Sequence, residues 1–477
     1  MFKFPFGLKA ISGVLIVVGL LAFIVGTYQS STAAHDIEEN GYKSEYLEAH
    51  HEHQKEINDE MIASGDSPAL VLEEHNAETE AKHIHHAYNQ MKNKPWTAIY
   101  IAAIMFLLIS LGALFFLAIQ HAASVGWSII LVRIMEGIAT YLPIGGAIFF
   151  ILLVISGMHF NHLFHWMDES LLNKFMIIGA DGTKEYVAEM VDGAIPNPDY
   201  DSILAGKEAY LNVPFWLTRA AIYIGGWIFF LFKLKGLSMK LDANPFDKEI
   251  FISQRNWSAG FIVFFAVTSS MLAWDWIMSF DPHWFSTLFG WYTFASYMSC
   301  VLAVIILVSV FLKAQGVFPE FNDNHLHDLT KFMFGFSLLW TYLWFSQFML
   351  IWYANIPEEV TYYYARFDEH KVRFLGMLIP NFVMPLLILV SSSIKRNYKV
   401  VCSMAFVVIF GHYLDFFTMM EPGSVGSFAN IGFAEVGAFL FFAGLFIFVI
   451  FSALTKRPSQ PKGNPLHHES EIYHYPF

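Results

Sequence analysis

Cysteine is nearly absent: Cys300 and Cys402 are the two in 477 residues. That excludes a disulfide scaffold, an iron–sulfur cluster held by this chain alone and a Cys–x–x–Cys–His haem attachment. Both lie in apolar runs and read as inert core. Charge is scarce as well, at 14% Asp, Glu, Lys and Arg, where soluble domains carry about 25%. No basic stretch is long enough to follow a phosphate backbone and the net charge is −13, which excludes nucleic acid as a partner. There is no phosphate loop and no hydrolase triad. What the chain has is apolar bulk: 56% of its residues are hydrophobic, and 49 are Phe.

A membrane helix needs about 20 apolar residues to cross roughly 30 Å of hydrocarbon. Ten runs qualify: 8–29, 96–120, 130–155, 214–234, 256–278, 286–312, 329–354, 373–393, 398–418 and 430–454. They predict an all-α integral membrane protein of about ten transmembrane helices. The first run follows Lys3 and Lys9 but is longer than a signal core, so it reads as an uncleaved anchor. The acids concentrate between runs. Residues 30–95 hold 14 acids against 5 Lys, and residues 156–213 hold 9 against 3. With the N-terminus inside, 15 Lys and Arg fall in inner segments, and the short outer loops hold only Arg366, Lys371 and Arg373. The positive-inside rule then puts both termini in the cytoplasm and both acidic inserts outside.

An internal repeat is visible. The fifth run ends Trp274-Asp275-Trp276-Ile277-Met278-Ser279-Phe280-Asp281-Pro282, and the ninth ends Leu414-Asp415-Phe416-Phe417-Thr418-Met419-Met420-Glu421-Pro422. Each sets an acid inside the helix and an acid–Pro pair six residues on. Helices 2–5 thus read as a four-helix bundle repeated as helices 6–9, with helices 1 and 10 flanking. Asp281 is expected to cap a helix with Pro282 in its first position, and Glu421 to do so less well. The expected organisation is an anchor helix (1–29), an acidic His-rich outer insert (30–95), a first bundle (96–278) carrying the outer insert 156–213, a second bundle (286–418), a tenth helix (430–454) and an inner tail (455–477). Pro143-Ile144-Gly145-Gly146 is expected to break the third helix, with no counterpart in the seventh.

An ionisable side chain in hydrocarbon costs about 2.5–3.5 kcal/mol on insertion scales, so it is paired, functional or both. Arg133 and Glu136 share a face of the third helix, as a self-neutralising pair or an inner proton entry. His412 and Asp415 on the ninth suit accepting and passing a proton, or form a buried packing pair. Glu435 enters from the same outer side. Arg219 either neutralises Asp275 across the bundle or meets a ligand, and His159 ends the third helix. Hydroxyls such as Thr140, Ser296 and Ser337 can extend a proton wire or bond neighbouring helices. Trp274, Trp276, Trp284 and Trp291 are expected in an interfacial belt. The eight His between 35 and 86 match no closed tetrahedral spacing, so no metal is assigned. His159, His162 and His165 suit an interfacial edge better than a metal face. Only His412 lies well inside the membrane, and a bis-His haem needs two.

The run 272–292, with Trp274-Asp275-Trp276, Asp281-Pro282-His283-Trp284-Phe285-Ser286-Thr287 and Phe289-Gly290, resembles the F subunits of bacterial alternative complex III. These belong to the NrfD/PsrC-like family of ten-helix membrane subunits, and the resemblance extends over about 96–454. It implies a membrane subunit of a quinol:cytochrome c oxidoreductase in the bacterial inner (cytoplasmic) membrane. In that family quinol is oxidised near the outer surface and electrons pass to iron–sulfur and haem partners. The implied partners are an NrfD-like paralogue, an iron–sulfur subunit, c-type cytochrome subunits and lipid. The implied cofactors are quinone or menaquinone, with haem c and iron–sulfur clusters on partner subunits and none bound by this chain alone. The likeness is to the F rather than the C subunit, so a proton-conducting or structural role stands beside a quinol site. No catalytic residue is assigned. Arg133, Glu136, His412, Asp415 and Glu435 are the proton-path candidates. His159, Arg219 and Asp275 are the candidates for a quinone headgroup pocket. The alternatives are a secondary transporter and a purely structural anchor for peripheral haem and iron–sulfur subunits.

Overall fold

All ten apolar runs form helices long enough to cross a membrane. In the computed structural model, which describes residues 2–48, 52, 55, 77–179, 183–458 and 460–474, the spans are Phe6–Lys43, Ala81–Ala122, Ile129–Gly157, Val213–Ala243, Lys248–Phe280, Phe289–Ala314, Asp323–Ala354, Lys371–Leu389, Tyr398–Phe428 and Phe433–Leu454. The chain is an all-α, multi-pass membrane protein. Phe2 and Phe4 pack on Phe451 of the tenth span, so both ends of the chain lie on one face, the terminal face. The two long inserts lie on the other, the insert face.

Short polar side chains start four of the spans by accepting from otherwise unpaired backbone N–H groups. Asn212 accepts from Phe215, Asp247 from Glu249 and Ile250, Asn322 from Asn324 and His325, and Asn397 from Lys399 and Val400. The first two helices outrun the hydrocarbon. Phe6–Asn40 has 35 residues and Ala77–Ala122 has 46, about 52 Å and 69 Å at 1.5 Å per residue. His50, His51, His53 and His75 of the insert lie outside the described residues. The insert between the third and fourth spans carries a small antiparallel sheet, ordered Lys184–Val187, Phe175–Ile178, Ile195–Pro196.

The helices pack as two four-membered rings. The second, third, fourth and fifth spans each touch the next, and the fifth closes on the second. The sixth to ninth spans close in the same order. The rings meet second on ninth, fifth on sixth and second on sixth, contacts that exchanging the rings preserves, and the third also touches the sixth. The second span sits at this junction, and its most apolar stretch is wholly buried. A helix apolar all round belongs in such a place. The first and tenth spans pack on each other and on the second.

Four sequence expectations change. Asp281 caps no helix, since the sixth helix starts at Phe289, and Pro422 lies inside the ninth helix, Tyr398–Val425. Trp276 and Trp284 are core rather than belt residues, because Trp276 packs among Phe149, Tyr223 and Trp227 and Trp284 stacks on Tyr362. Trp291 is exposed. The third span breaks one turn before the expected glycines, at Thr140 and Tyr141, with Pro143 near the start of the following helix. The eighth span, not the seventh, carries a second irregularity, the π-helical turn Ile379–Val383 around Pro380.

The first and tenth helices touch backbone to backbone. A Cβ on Gly437 would stand 2.3 Å from the Phe23 nitrogen, and one on Gly26 would stand 2.1 Å from that of Ala434. Membrane helices associate through such small residues because lipid gives apolar surfaces no reason to prefer each other. Gly437→Ala should therefore destabilise the protein by about 1–3 kcal/mol in detergent thermal unfolding. Gly13→Ala, with nothing within 4 Å of its added Cβ, should leave the transition unchanged.

Candidate functional site

The repeated aspartates meet opposite surroundings. Asp275, on the fifth helix, is fully buried, and Arg219 of the fourth reaches it through two hydrogen bonds of 2.9 Å. Tyr223 donates to the same carboxylate at 3.1 Å, and Arg219 also donates to the Tyr210 carbonyl. The rings of Tyr210 and Phe215 lie 3.9 and 4.3 Å from the guanidinium carbon. Every nitrogen of Arg219 and both oxygens of Asp275 are engaged. His159 stands apart, exposed at the end of the third span with a φ of +58°. The structure brings Arg219 and Asp275 together as a bonded pair and leaves His159 apart from it.

Asp415, at the equivalent point of the ninth helix, has no arginine. It is fully buried. Tyr292 donates to Oδ1, and Ser296 and Trp340 donate to Oδ2 at 2.7 and 2.8 Å. Nδ1 of His412 is 3.5 Å from Oδ2 and 3.1 Å from the Ser296 hydroxyl. Ser296 has one hydroxyl hydrogen. Given to Asp415, it leaves the serine oxygen to accept from Nδ1–H, so Nε2 of His412 carries the lone pair. That nitrogen is buried without a partner. The result is a carboxylate held by neutral donors beside an imidazole with an open base. Ser296 was visible as a hydroxyl in sequence; Tyr292 and Trp340 were not singled out as partners.

At the terminal face Arg133 and Glu136, both 3% exposed, pair at 2.8 Å. They belong to a larger group. Arg133 also binds Ser238 at 2.7 Å and pairs with Asp242, while Arg457, from the chain beyond the tenth helix, reaches Glu136 at 3.0 Å. Glu136 keeps one oxygen without a partner, and His121 on the second helix keeps both nitrogens free of partners. A cavity of about 20 Å³ touches Arg133, Glu136, Thr140, Lys235 and Arg457, room for one water. The charges tie the third and fourth spans to the tail.

At the insert face, fully buried Arg366 joins the two rings. From the segment between the seventh and eighth spans it donates to the carbonyls of Thr418 and Met419 on the ninth helix and pairs at 3.0 Å with Asp281, which follows the fifth. The Tyr362 ring lies 3.3 Å from its guanidinium carbon, and burial pushes the Tyr362 hydroxyl up to about 12. Next along the chain, Nε2–H of His370 donates to the Gly426 carbonyl at 3.2 Å. Burial, with Arg373 and Arg366 close by, holds His370 down to about 4. Glu435 is fully buried and accepts from the Gly432 N–H at 2.7 Å. It does not bond directly to His412 or Asp415, the other outer candidates.

The rings of His86 and His165 stack at 6.0 Å, and burial holds His165 and His162 below the usual imidazole range. Among the described residues, no three His, Cys, Asp or Glu are grouped to hold a metal ion. The chain matches no known family model and no curated protein.

Removing one partner of a buried pair strands a charge, at about 3–5 kcal/mol. Arg219→Met alone should lower stability by that much, and adding Asp275→Leu should recover part of the loss, as read by a double-mutant cycle of unfolding in detergent. His370 gives a pH slope of definite sign. Its imidazole stays neutral in the folded chain down to about 4 against an ordinary 6.5, so the unfolded chain binds the extra proton between those values. Its contribution is full above the ordinary value and is lost as pH falls toward the lower one, by roughly 3 kcal/mol at most. His370→Asn should flatten that slope in unfolding measured across the acid range.

Proposed function

We propose that this chain is a proton-handling membrane subunit of a quinol:cytochrome c oxidoreductase of the alternative complex III type. In this reading it lies in a bacterial inner membrane with both termini cytoplasmic and the acidic inserts periplasmic. The run 272–292 supplies the likeness to that complex, and the contrast between Asp275 and Asp415 carries the argument. One aspartate of the repeat is neutralised by Arg219 and is a packing element. The other has no cation beside it except what His412 can become on taking a proton. Quinol oxidation releases two protons for every two electrons. A chain without redox ligands leaves the electrons to iron–sulfur and haem c partners, and buried Asp, His and Glu can take the protons. Glu136, with a free oxygen beside a one-water cavity, serves the inner half of the path. Glu435 serves the outer half. No quinone site is assigned to His159, Arg219 and Asp275.

The test is gentle purification of the chain with its partners, followed by assay of haem, iron and quinol-dependent cytochrome c reduction. Haem c and quinol activity should co-purify. In that complex Asp415→Asn should slow turnover about tenfold or more, or lower the protons moved per electron in proteoliposomes. Unchanged values of both would remove Asp415 from the mechanism. A colourless protein active on its own would favour a transporter.

A further inference from the structure

At the terminal face Arg133 and Arg457 hold Glu136, Arg133 holds Asp242, and Lys331 reaches Asp328 at 2.9 Å. Lys3, Lys9 and Lys456 stand outside this pairing. All three are exposed, and no ion pair among the described residues includes any of them. Together they line a hollow of about 600 Å³, with Phe4, Phe448 and Ser452 among its other walls and no Asp or Glu in its lining.

The hollow is built by the way the chain begins. Phe2 and Phe4 pack their rings on Phe451, and Phe4 also packs on Phe448, which lays the first residues across the end of the tenth helix. Lys3 lies between those two phenylalanines. Lys9 follows in the first turn of the first helix, with its Nζ 5.3 Å from the centre of the Phe4 ring. Lys456 comes just after the tenth helix ends at Leu454. The two ends of the chain thus bring three like charges to one place.

Like charges gathered without an acid repel, and an anion set among them offsets that repulsion. The volume lies within the range of about 300–1,000 Å³ that suits a small ligand. Phe448 belongs to a membrane span and is nonetheless exposed, so the hollow also reaches the side that meets lipid tails. The first span beside it is largely unburied. A fitting ligand has an anionic head at the membrane surface and an apolar remainder, and basic pockets between membrane helices bind such lipids.

We propose that this hollow binds the phosphodiester headgroup of an anionic phospholipid. The three ammonium groups surround the phosphate, the Ser452 hydroxyl donates to it, and the acyl chains lie on Phe448 and the first helix. The site goes beyond the proton-handling reading and stands without it.

The test is native mass spectrometry of the full chain in a neutral detergent, titrated with dioleoylphosphatidylglycerol, dioleoylphosphatidylcholine or inorganic phosphate. One phosphatidylglycerol should stay bound under activation that strips phosphatidylcholine. Each lysine near an anionic lipid contributes about fivefold to affinity, so Lys3→Gln, Lys9→Gln and Lys456→Gln combined should weaken binding about a hundredfold. The matched control combines Lys240→Gln, Lys248→Gln and Lys399→Gln, three exposed lysines outside the hollow, and should bind as the wild type does. An equal loss in the control would mean diffuse attraction to a basic face and would overturn the proposal. Equal retention of phosphatidylcholine would overturn it too. Displacement of the lipid by inorganic phosphate would assign the hollow to a free anion instead.

Discussion

Inside a bilayer no water answers a buried charge, and this fold is organised around that fact. Each ionisable group at depth has to find its counter-charge or its hydrogen bonds on another helix. Arg219 finds Asp275, and the fourth and fifth spans are fastened together by it. Arg133 finds Glu136 and Asp242, and Arg457 closes the group from the tail. The helices are thus positioned by polar contacts as much as by their apolar surfaces. Lipid tails match those surfaces as well as protein does.

The duplicated bundle lets the same constraint be met in two ways. Asp275 and Asp415 occupy equivalent places, yet one is paired with a guanidinium and the other with a phenol, an indole, a serine and an imidazole. A guanidinium stays charged and fixes its partner. Imidazole can change charge, and so can the carboxylate beside it. The pseudo-symmetric position has been specialised by its neighbours, while its own residue type is unchanged. The ninth helix thus sets its aspartate beside a group that can take a proton, and the fifth sets its own beside a fixed cation.

The ten spans were legible because an unbroken run of about 20 apolar residues matches the thickness of hydrocarbon and little else. The repeat was legible because its acids recur with the same spacing. Asp275, Asp415, Glu136 and Glu435 stood out because carboxylates at depth are rare. Their partners were much harder to read. Arg457 lies in the tail, Arg366 in the short helix Pro357–Asp368 between two spans and Asp242 at a helix end, where charged residues are ordinary and only folding reveals that they turn inward. Tyr292 and Trp340 were hidden among many aromatics of a chain rich in them. Asp281 suggested a cap because Asp–Pro so often begins a helix; Arg366 offered it a full charge instead. The π-turn at Pro380 was missed because the hydropathy of the eighth span runs through it without interruption.

Arg366 reaches from one ring to the other, holding Asp281 on the first and two carbonyls of the ninth helix on the second. Its guanidinium is sealed from solvent and stacked against Tyr362, which in turn stacks on Trp284. Swinging one bundle against the other would break the Arg366–Asp281 pair and the bonds to the Thr418 and Met419 carbonyls, so this contact ties the two rings together at the insert face. A carrier that worked by alternating access would have to break and remake it in every cycle, a cost that a fixed path of side chains does not meet.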